Sequence, residues 1–169
     1  MSNAPLTPLA RTGNTAFATA VALLLLRISL AWTFLYHGSQ LLFGAFGGPG
    51  VSGFSQSLHL PAILPPIAWA ALAAGAQFCG GLLALLGLLT RLAALMLISV
   101  MLVAIATVHA PHGFSVGNGG YEYNVAIIAI ASALLLAGPG LISLDALLFR
   151  RGLWARGAQP LANPGTRSA

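Results

Sequence analysis

The sequence has no lysine and only two acidic residues, Glu122 and Asp145, in 169 positions. Charged side chains make up 5% of it and hydrophobic ones 58%, whereas an ordinary soluble domain carries about a quarter charged residues. A water-facing surface cannot be covered with this composition, so the chain reads as a membrane protein. Its net charge of +5 comes from seven arginines set against the two acids. That basicity reflects missing acid and suits an anionic lipid surface. No stripe of basic and aromatic residues is present to read nucleic-acid bases. The single cysteine, Cys79, lies in an apolar segment, which excludes an intramolecular disulfide, Cys-x-x-Cys thiol exchange and cysteine ligation of an iron-sulfur cluster.

What the sequence does have is apolar length. A bilayer core about 30 Å thick needs roughly 20 helical residues, and four segments supply that order of length: Ala18 to Phe43, Pro66 to Leu89, Leu92 to His109 and Tyr121 to Ala137. The first apolar run extends from Thr15 to Phe46, beyond the ~7–15 apolar residues of a cleaved signal, and is predicted to remain as a helix. Thr90 and Arg91 leave room only for a tight antiparallel hairpin, while the connections at 44–53 and 111–120 are full of turn formers and are predicted outside the bilayer. Four spans put Arg11, Arg91, Arg150, Arg151, Arg156 and Arg167 on one side and no arginine in the opposite loops. The positive-inside bias then predicts that both termini are cytoplasmic.

After Gly138-Pro139-Gly140, Ser143 is placed to cap a short helix with Asp145 in its first turn and Leu144, Leu147 and Leu148 as an apolar stripe. The expected fold is therefore all-α: a bundle of four transmembrane helices with a short C-terminal interfacial helix. The membrane domain is expected over residues 15–154, between tails 1–14 and 155–169 whose composition predicts disorder. In the second span small residues recur every fourth position, as Ala71, Gly75 and Cys79 and as Leu72, Ala76 and Gly80. Such spacing is expected to let helix backbones pack closely.

Polar residues inside the spans carry the functional argument. Arg27 lies about ten residues into the first helix, where an unpaired charge costs ~2.5–3.5 kcal/mol on insertion scales. Asp145 is the only acid on that side, and a structural ion pair between Arg27 and Asp145 is predicted; Arg91 is the acid's alternative partner, and an anion or lipid head-group site the alternative role for Arg27. Toward the other end the first helix carries His37 and Gln40 beside Tyr36, the second Gln77, the third His109, and the fourth opens with Tyr121, Glu122, Tyr123 and Asn124. An antiparallel bundle brings these to one depth. They can serve structure, as interface aromatics, a helix-end acid and an interhelical amide, or form a ligand-binding and proton-relay cluster. His37 with His109 is the only pair that could ligate a haem iron. Zinc binding by His109, His112 and Glu122 lacks motif spacing, so no metal is expected.

Five segments together carry a family resemblance: Leu-Leu-Arg-Ile (25–28), Phe-Leu-Tyr-His-Gly-Ser-Gln-Leu-Leu-Phe-Gly (34–44), Gly-Gly-Leu-Leu-Ala-Leu-Leu-Gly-Leu-Leu-Thr-Arg-Leu-Ala-Ala (80–94), Asn-Gly-Gly-Tyr-Glu-Tyr-Asn (118–124) and Gly-Pro-Gly-Leu-Ile-Ser-Leu-Asp (138–145). Over about Ala18 to Phe149 the chain resembles the DoxX family of small bacterial membrane proteins. The resemblance implies a four-helix protein of the bacterial inner membrane. It also implies a redox setting, because relatives include a subunit associated with a terminal quinol oxidase and the membrane part of a thiosulfate:quinone oxidoreductase, and others are linked to oxidative stress and to resistance to quinones or catechols. Many members carry a lysine after the glutamine of His-Gly-x-Gln; this chain has Leu41. The leading expectation is a redox-associated subunit that holds no tightly bound cofactor, binds a quinone or similar small aromatic with His37, Gln40, Gln77, His109, Tyr121, Glu122 and Asn124, and relies on a redox-enzyme partner for electron transfer. A non-catalytic scaffold for a cytoplasmic enzyme and a small-molecule transporter are the rivals.

Overall fold

A computed structural model describes the backbone of residues 8–58 and 63–153. Among the described residues every regular element is helical: α1 (Pro8–Phe43), α2 (Gly50–Ser57), α3 (Pro66–Leu86), α4 (Thr90–Ala104), α5 (Glu122–Ala137) and α6 (Leu144–Leu153), with short 3-10 turns in the loops. Helix α1 begins at Pro8, inside the stretch expected to be an unstructured tail. Residues 1–7 of that tail and all of the C-terminal one, 155–169, lie outside the described residues.

The same spacing repeats on all four long helices. Buried positions on α1 include Ala20, Leu23, Arg27, Leu30 and Phe34; on α3, Ala70, Ala74, Gln77, Gly81 and Ala84; on α4, Thr90, Ala94, Leu97 and Met101; and on α5, Asn124, Ile127, Ala131 and Leu134. Steps of three and four alternate, which produces a seam suited to near-antiparallel helix packing. Helix α1 packs on α3 and α5, and α4 packs on the same two, so the four helices close a ring around Leu30, Phe34, Leu97, Ile127 and Leu134. The outward faces are apolar instead of charged: Trp32 is 79% exposed and Leu136 is 80% exposed. Such surface is stable only against lipid or another apolar partner.

Among the described residues three helical stretches are long and apolar enough to cross a membrane: Asn14–Phe43, Pro66–Leu86 and Thr90–His112. Helix α5 is apolar but has 16 residues, about 24 Å at 1.5 Å per residue.

The small-residue stripe departs from expectation in part. Ala71 and Cys79 face outward and Gly75 has no heavy atom within 4 Å of where a Cβ would stand. Of the expected positions Gly80 does approach closely, against Leu97, and it is joined by Gly38, where an added Cβ would lie 2.7 Å from the backbone nitrogen of Phe78, and by Gly81 against Phe34 and Leu35. Fourfold spacing identifies a stripe of small residues but not which way it turns.

The α3–α4 hairpin also differs. Gly87, in the left-handed region at φ 63°, ends α3 with Gly87 N–H donating to the Ala84 carbonyl and Leu88 N–H to that of Leu83, the paired bonds of a glycine C-cap. The turn is thus Gly87-Leu88-Leu89, and Thr90 and Arg91 already belong to α4.

Arg27 and Asp145 do not form the expected direct pair. The guanidinium donates to four backbone carbonyls, from Nε to Ala84 at 3.0 Å, from Nη2 to Leu85 at 3.2 Å, and from Nη1 to Pro139 at 2.8 Å and to Ile142. Helix C-termini leave carbonyls without intrahelical partners, and a planar fork of five donors can collect several at once. Asp145 caps α4 instead, accepting from the backbone of Leu89 at 2.9 Å, the backbone of Thr90 at 3.1 Å and the Thr90 hydroxyl at 3.3 Å. Its charge still attracts Arg27 through space. Ser143 caps α6 as the sequence suggested, accepting from Ala146 N–H at 3.0 Å.

Candidate functional site

At the end of the bundle away from Arg27, the four helices part around a cavity of about 390 Å³. Small-molecule sites occupy the range of about 300–1,000 Å³ and combine apolar walls with a few placed polar groups. Phe34, Leu41, Phe54, Leu58, Val100 and Ile127 contribute apolar wall here. The polar members are His37, Gln77, His109 and Asn124, with Thr33, Thr107 and Tyr123.

Two of these are buried amides. Gln77 on α3 is 7% exposed and Asn124 on α5 is 5% exposed. Each occupies a core-facing seam position that an apolar residue would normally hold. Asn124 donates an N–H to the Met101 sulfur at 3.4 Å, a weak acceptor, while the Gln77 carboxamide has no hydrogen bond to another described residue. Yet among the described residues no side-chain nitrogen or oxygen is both sealed and unpaired. The free amide atoms therefore face accessible space, which at this depth is the cavity.

His109 closes a π-helical turn, Ile105–His109, that extends α4. Such turns locally widen a helix and recur at functional sites. Its Nδ1 lies 2.7 Å from the Gly119 carbonyl oxygen. An oxygen of that kind only accepts, so Nδ1 carries the proton and a neutral ring presents its lone pair at Nε2. His37 meets Tyr36 edge-to-face at 5.4 Å, and Tyr36 stacks on Phe46 at 5.1 Å. The Thr33 and Tyr123 hydroxyls lie 3.3 Å apart, joining α1 to α5.

Of the seven predicted ligand residues, His37, Gln77, His109 and Asn124 share the cavity wall, and Gln40, Tyr121 and Glu122 are not part of it. The carboxylate of Glu122 accepts from Val116 N–H at 3.1 Å. With Tyr121 N–H donating to Gly113 and Glu122 N–H to Phe114, and the Phe114 and Tyr121 rings edge-to-face at 5.6 Å, that acid secures the loop before α5. Gly120 fits there because a Cβ would lie 2.2 Å from the Gly113 oxygen. Gln40 sits under the loop after α1, where a Cβ on Gly48 would meet its backbone oxygen at 2.5 Å. No group of three or more His, Cys, Asp or Glu is placed to hold a metal ion among the described residues.

Sequence reasoning missed Phe54 and Leu58, which α2 sets against the cavity. The signal was faint but present: Val51, Phe54 and Leu58 are spaced by three and four, inside a segment whose glycines and serines read as loop. Met101 was missed because a methionine in an apolar span carries no mark of its contact to Asn124.

The sequence matches the family described as DoxX over residues 22–110, which takes in most of α1, all of α2 to α4, Gln77 and His109, and stops short of α5. A protein of Haemophilus influenzae (strain ATCC 51907 / DSM 11121 / KW20 / Rd), described as uncharacterized, is 31% identical over 132 residues, 77% of this chain and 85% of its own length. No solved structure matches. With half of the chain matched and the resemblance extending through most of a curated relative, this membrane protein belongs to the DoxX family.

Proposed function

We propose that the protein is a binding subunit of the bacterial inner membrane that holds a quinone or a similar small aromatic in the cavity between α1, α3, α4 and α5 and presents it to a redox-enzyme partner. The observation that carries this reading is the pair of buried amides, Gln77 and Asn124, on the wall of an otherwise largely apolar cavity. An amide in a dry helix seam is unfavourable unless something bonds it. A flat molecule with two oxygen substituents offers both the apolar area and the hydrogen bonds.

The test is retention. Wild-type protein purified into lipid nanodiscs and extracted with solvent is expected to release a quinone-class molecule, detected by mass spectrometry. Gln77→Leu should lower the amount about tenfold, the equivalent of one lost hydrogen bond to a buried group. Glu122→Gln should leave it unchanged, because a glutamine oxygen can accept from Val116 N–H as the carboxylate does. Equal retention by wild type and Gln77→Leu overturns the reading. An empty wild type with a co-purifying soluble enzyme favours the scaffold alternative.

The same proposal includes four spans, with α5 as a short fourth one and both tails cytoplasmic. It is supported by the arginines, of which Arg27 lies deep in a span, Arg91 lies in the first turn of α4 at the end away from the cavity, and none lies in the loops at the cavity end. In a Cys79→Ser background, cysteines at Ser52 and Ser115 should react with an impermeant maleimide on spheroplasts, and one at Ser168 should not. Labelling confined to Ser168 reverses the orientation.

A further inference from the structure

From the hydrogen-bonding capacity left free on the cavity wall, we infer that the site selects an aromatic that donates hydrogen bonds, a hydroquinone or other phenol, over the corresponding carbonyl compound. This rests on the proposed cavity and deepens it. Five of the wall groups have commitments that limit what they can offer. Asn124 spends an amide N–H on the Met101 sulfur at 3.4 Å, and its oxygen takes no hydrogen bond from another described residue. Turning the amide over would set oxygen against sulfur, acceptor against acceptor, so the bond to Met101 fixes which end is free. His109 spends Nδ1–H on the Gly119 carbonyl at 2.7 Å, leaving the Nε2 lone pair. Thr33 spends its hydroxyl proton on the Ser29 carbonyl at 3.2 Å, the Tyr123 O–H then donates to the Thr33 oxygen at 3.3 Å, and Thr107 donates to the Val103 carbonyl at 2.8 Å.

The two groups with a fixed orientation, Asn124 Oδ1 and His109 Nε2, thus both present acceptors. Gln77, with no partner among the described residues, is a donor and an acceptor together and adapts to either ligand. His37 forms no hydrogen bond that would fix its tautomer and is equally neutral on the question. A quinone carries acceptors only, and facing Asn124 Oδ1 or His109 Nε2 it would leave lone pairs opposed. A hydroquinone of the same size turns its O–H toward them. Sites built around a ligand hydroxyl discriminate strongly against the analogue without it, because their own polar groups are then left unpaired.

The experiment uses one redox pair of matched shape, trimethylhydroquinone and trimethylbenzoquinone, titrated anaerobically against the full chain in nanodiscs, with bound ligand measured by equilibrium dialysis and mass spectrometry. The hydroquinone is expected to bind at least about tenfold more tightly. Asn124→Leu fills the position with an apolar side chain of similar size and should bring the ratio toward one. His109→Asn keeps a donor near the Nδ1 position for Gly119, removes the Nε2 lone pair, and should narrow the ratio as well; it is the readout if Asn124→Leu does not fold. Equal binding, or preference for the quinone, overturns the selection while the cavity reading stands. Binding of neither probe overturns both.

Discussion

Arg27→Leu will deplete folded protein more than any other single change at the closed end of the bundle. The leucine fills the space of the side-chain stem but leaves the carbonyls of Ala84, Leu85, Pro139 and Ile142 without the guanidinium that binds them. Bonds to a charged group contribute ~1.5–3 kcal/mol each when taken singly, and they are not additive within one fork. A loss of ~3–5 kcal/mol, the size seen when a buried pair is broken, is the expected total. That is a large share of the ~5–15 kcal/mol by which a typical protein is stable. Arg27→Lys should fall between, since one ammonium cannot reach four carbonyls arranged on two elements. Heating followed by size exclusion in detergent will read both as lowered midpoints. Combining Arg27→Leu with Asp145→Leu distinguishes the carbonyl cradle from an ion pair. Asp145 has its own work at Leu89 and Thr90, so the second change should deepen the loss. A double variant more stable than Arg27→Leu would restore the ion pair.

Gly38→Ala should be the most damaging single methyl on the α1–α3 seam. The new carbon would stand 2.7 Å from the nitrogen and 2.8 Å from the Cα of Phe78. Those are backbone atoms and cannot rotate aside, so the helices must separate, at a cost of ~1–3 kcal/mol of the kind seen for overpacked cores. Separation there also opens the cavity at His37, and ligand retention should fall with stability. Gly75→Ala is the control, one residue type at a similar depth with no heavy atom within 4 Å; it should be neutral or slightly stabilising. A melting comparison decides the point. If Gly75→Ala proves the worse of the two, the stripe expected from spacing is the true interface.

The contrast between those glycines shows what could be read in advance. Composition and apolar length are properties of segments, and they locate α3, α4 and α5 to within a few residues but miss α2 and the first ten residues of α1, which carry no long apolar run. Direction is a property of pairs. Nothing within α3 says whether Gly75 or Gly81 meets α1, because that depends on Phe34 and Leu35 more than forty positions away. The solitary amides Gln77 and Asn124 and the two histidines were legible as site residues because a polar group in an apolar seam needs a reason. Glu122 and Tyr121 were legible as polar but not as loop fasteners, since their partners, Val116 N–H, Gly113 and Phe114, are backbone groups and a ring. The partners of Arg27 were hidden for the same cause. Every residue has a carbonyl, so no letter in the sequence marks the four that are used.

The cradle around Arg27 also sets a schedule. Its last acceptor, Ile142, follows it by 115 residues, and at a synthesis rate of ~5–20 residues per second that is a wait of roughly 6 to 23 s. During that interval the first helix holds a cation whose permanent partners have yet to leave the ribosome, and water, lipid phosphate or the insertion machinery must stand in for them. A chain that stops before Pro139 never fills the cradle. It keeps a membrane-embedded charge with only the α3 carbonyls to satisfy it, a defect by which unfinished copies could be told from completed ones.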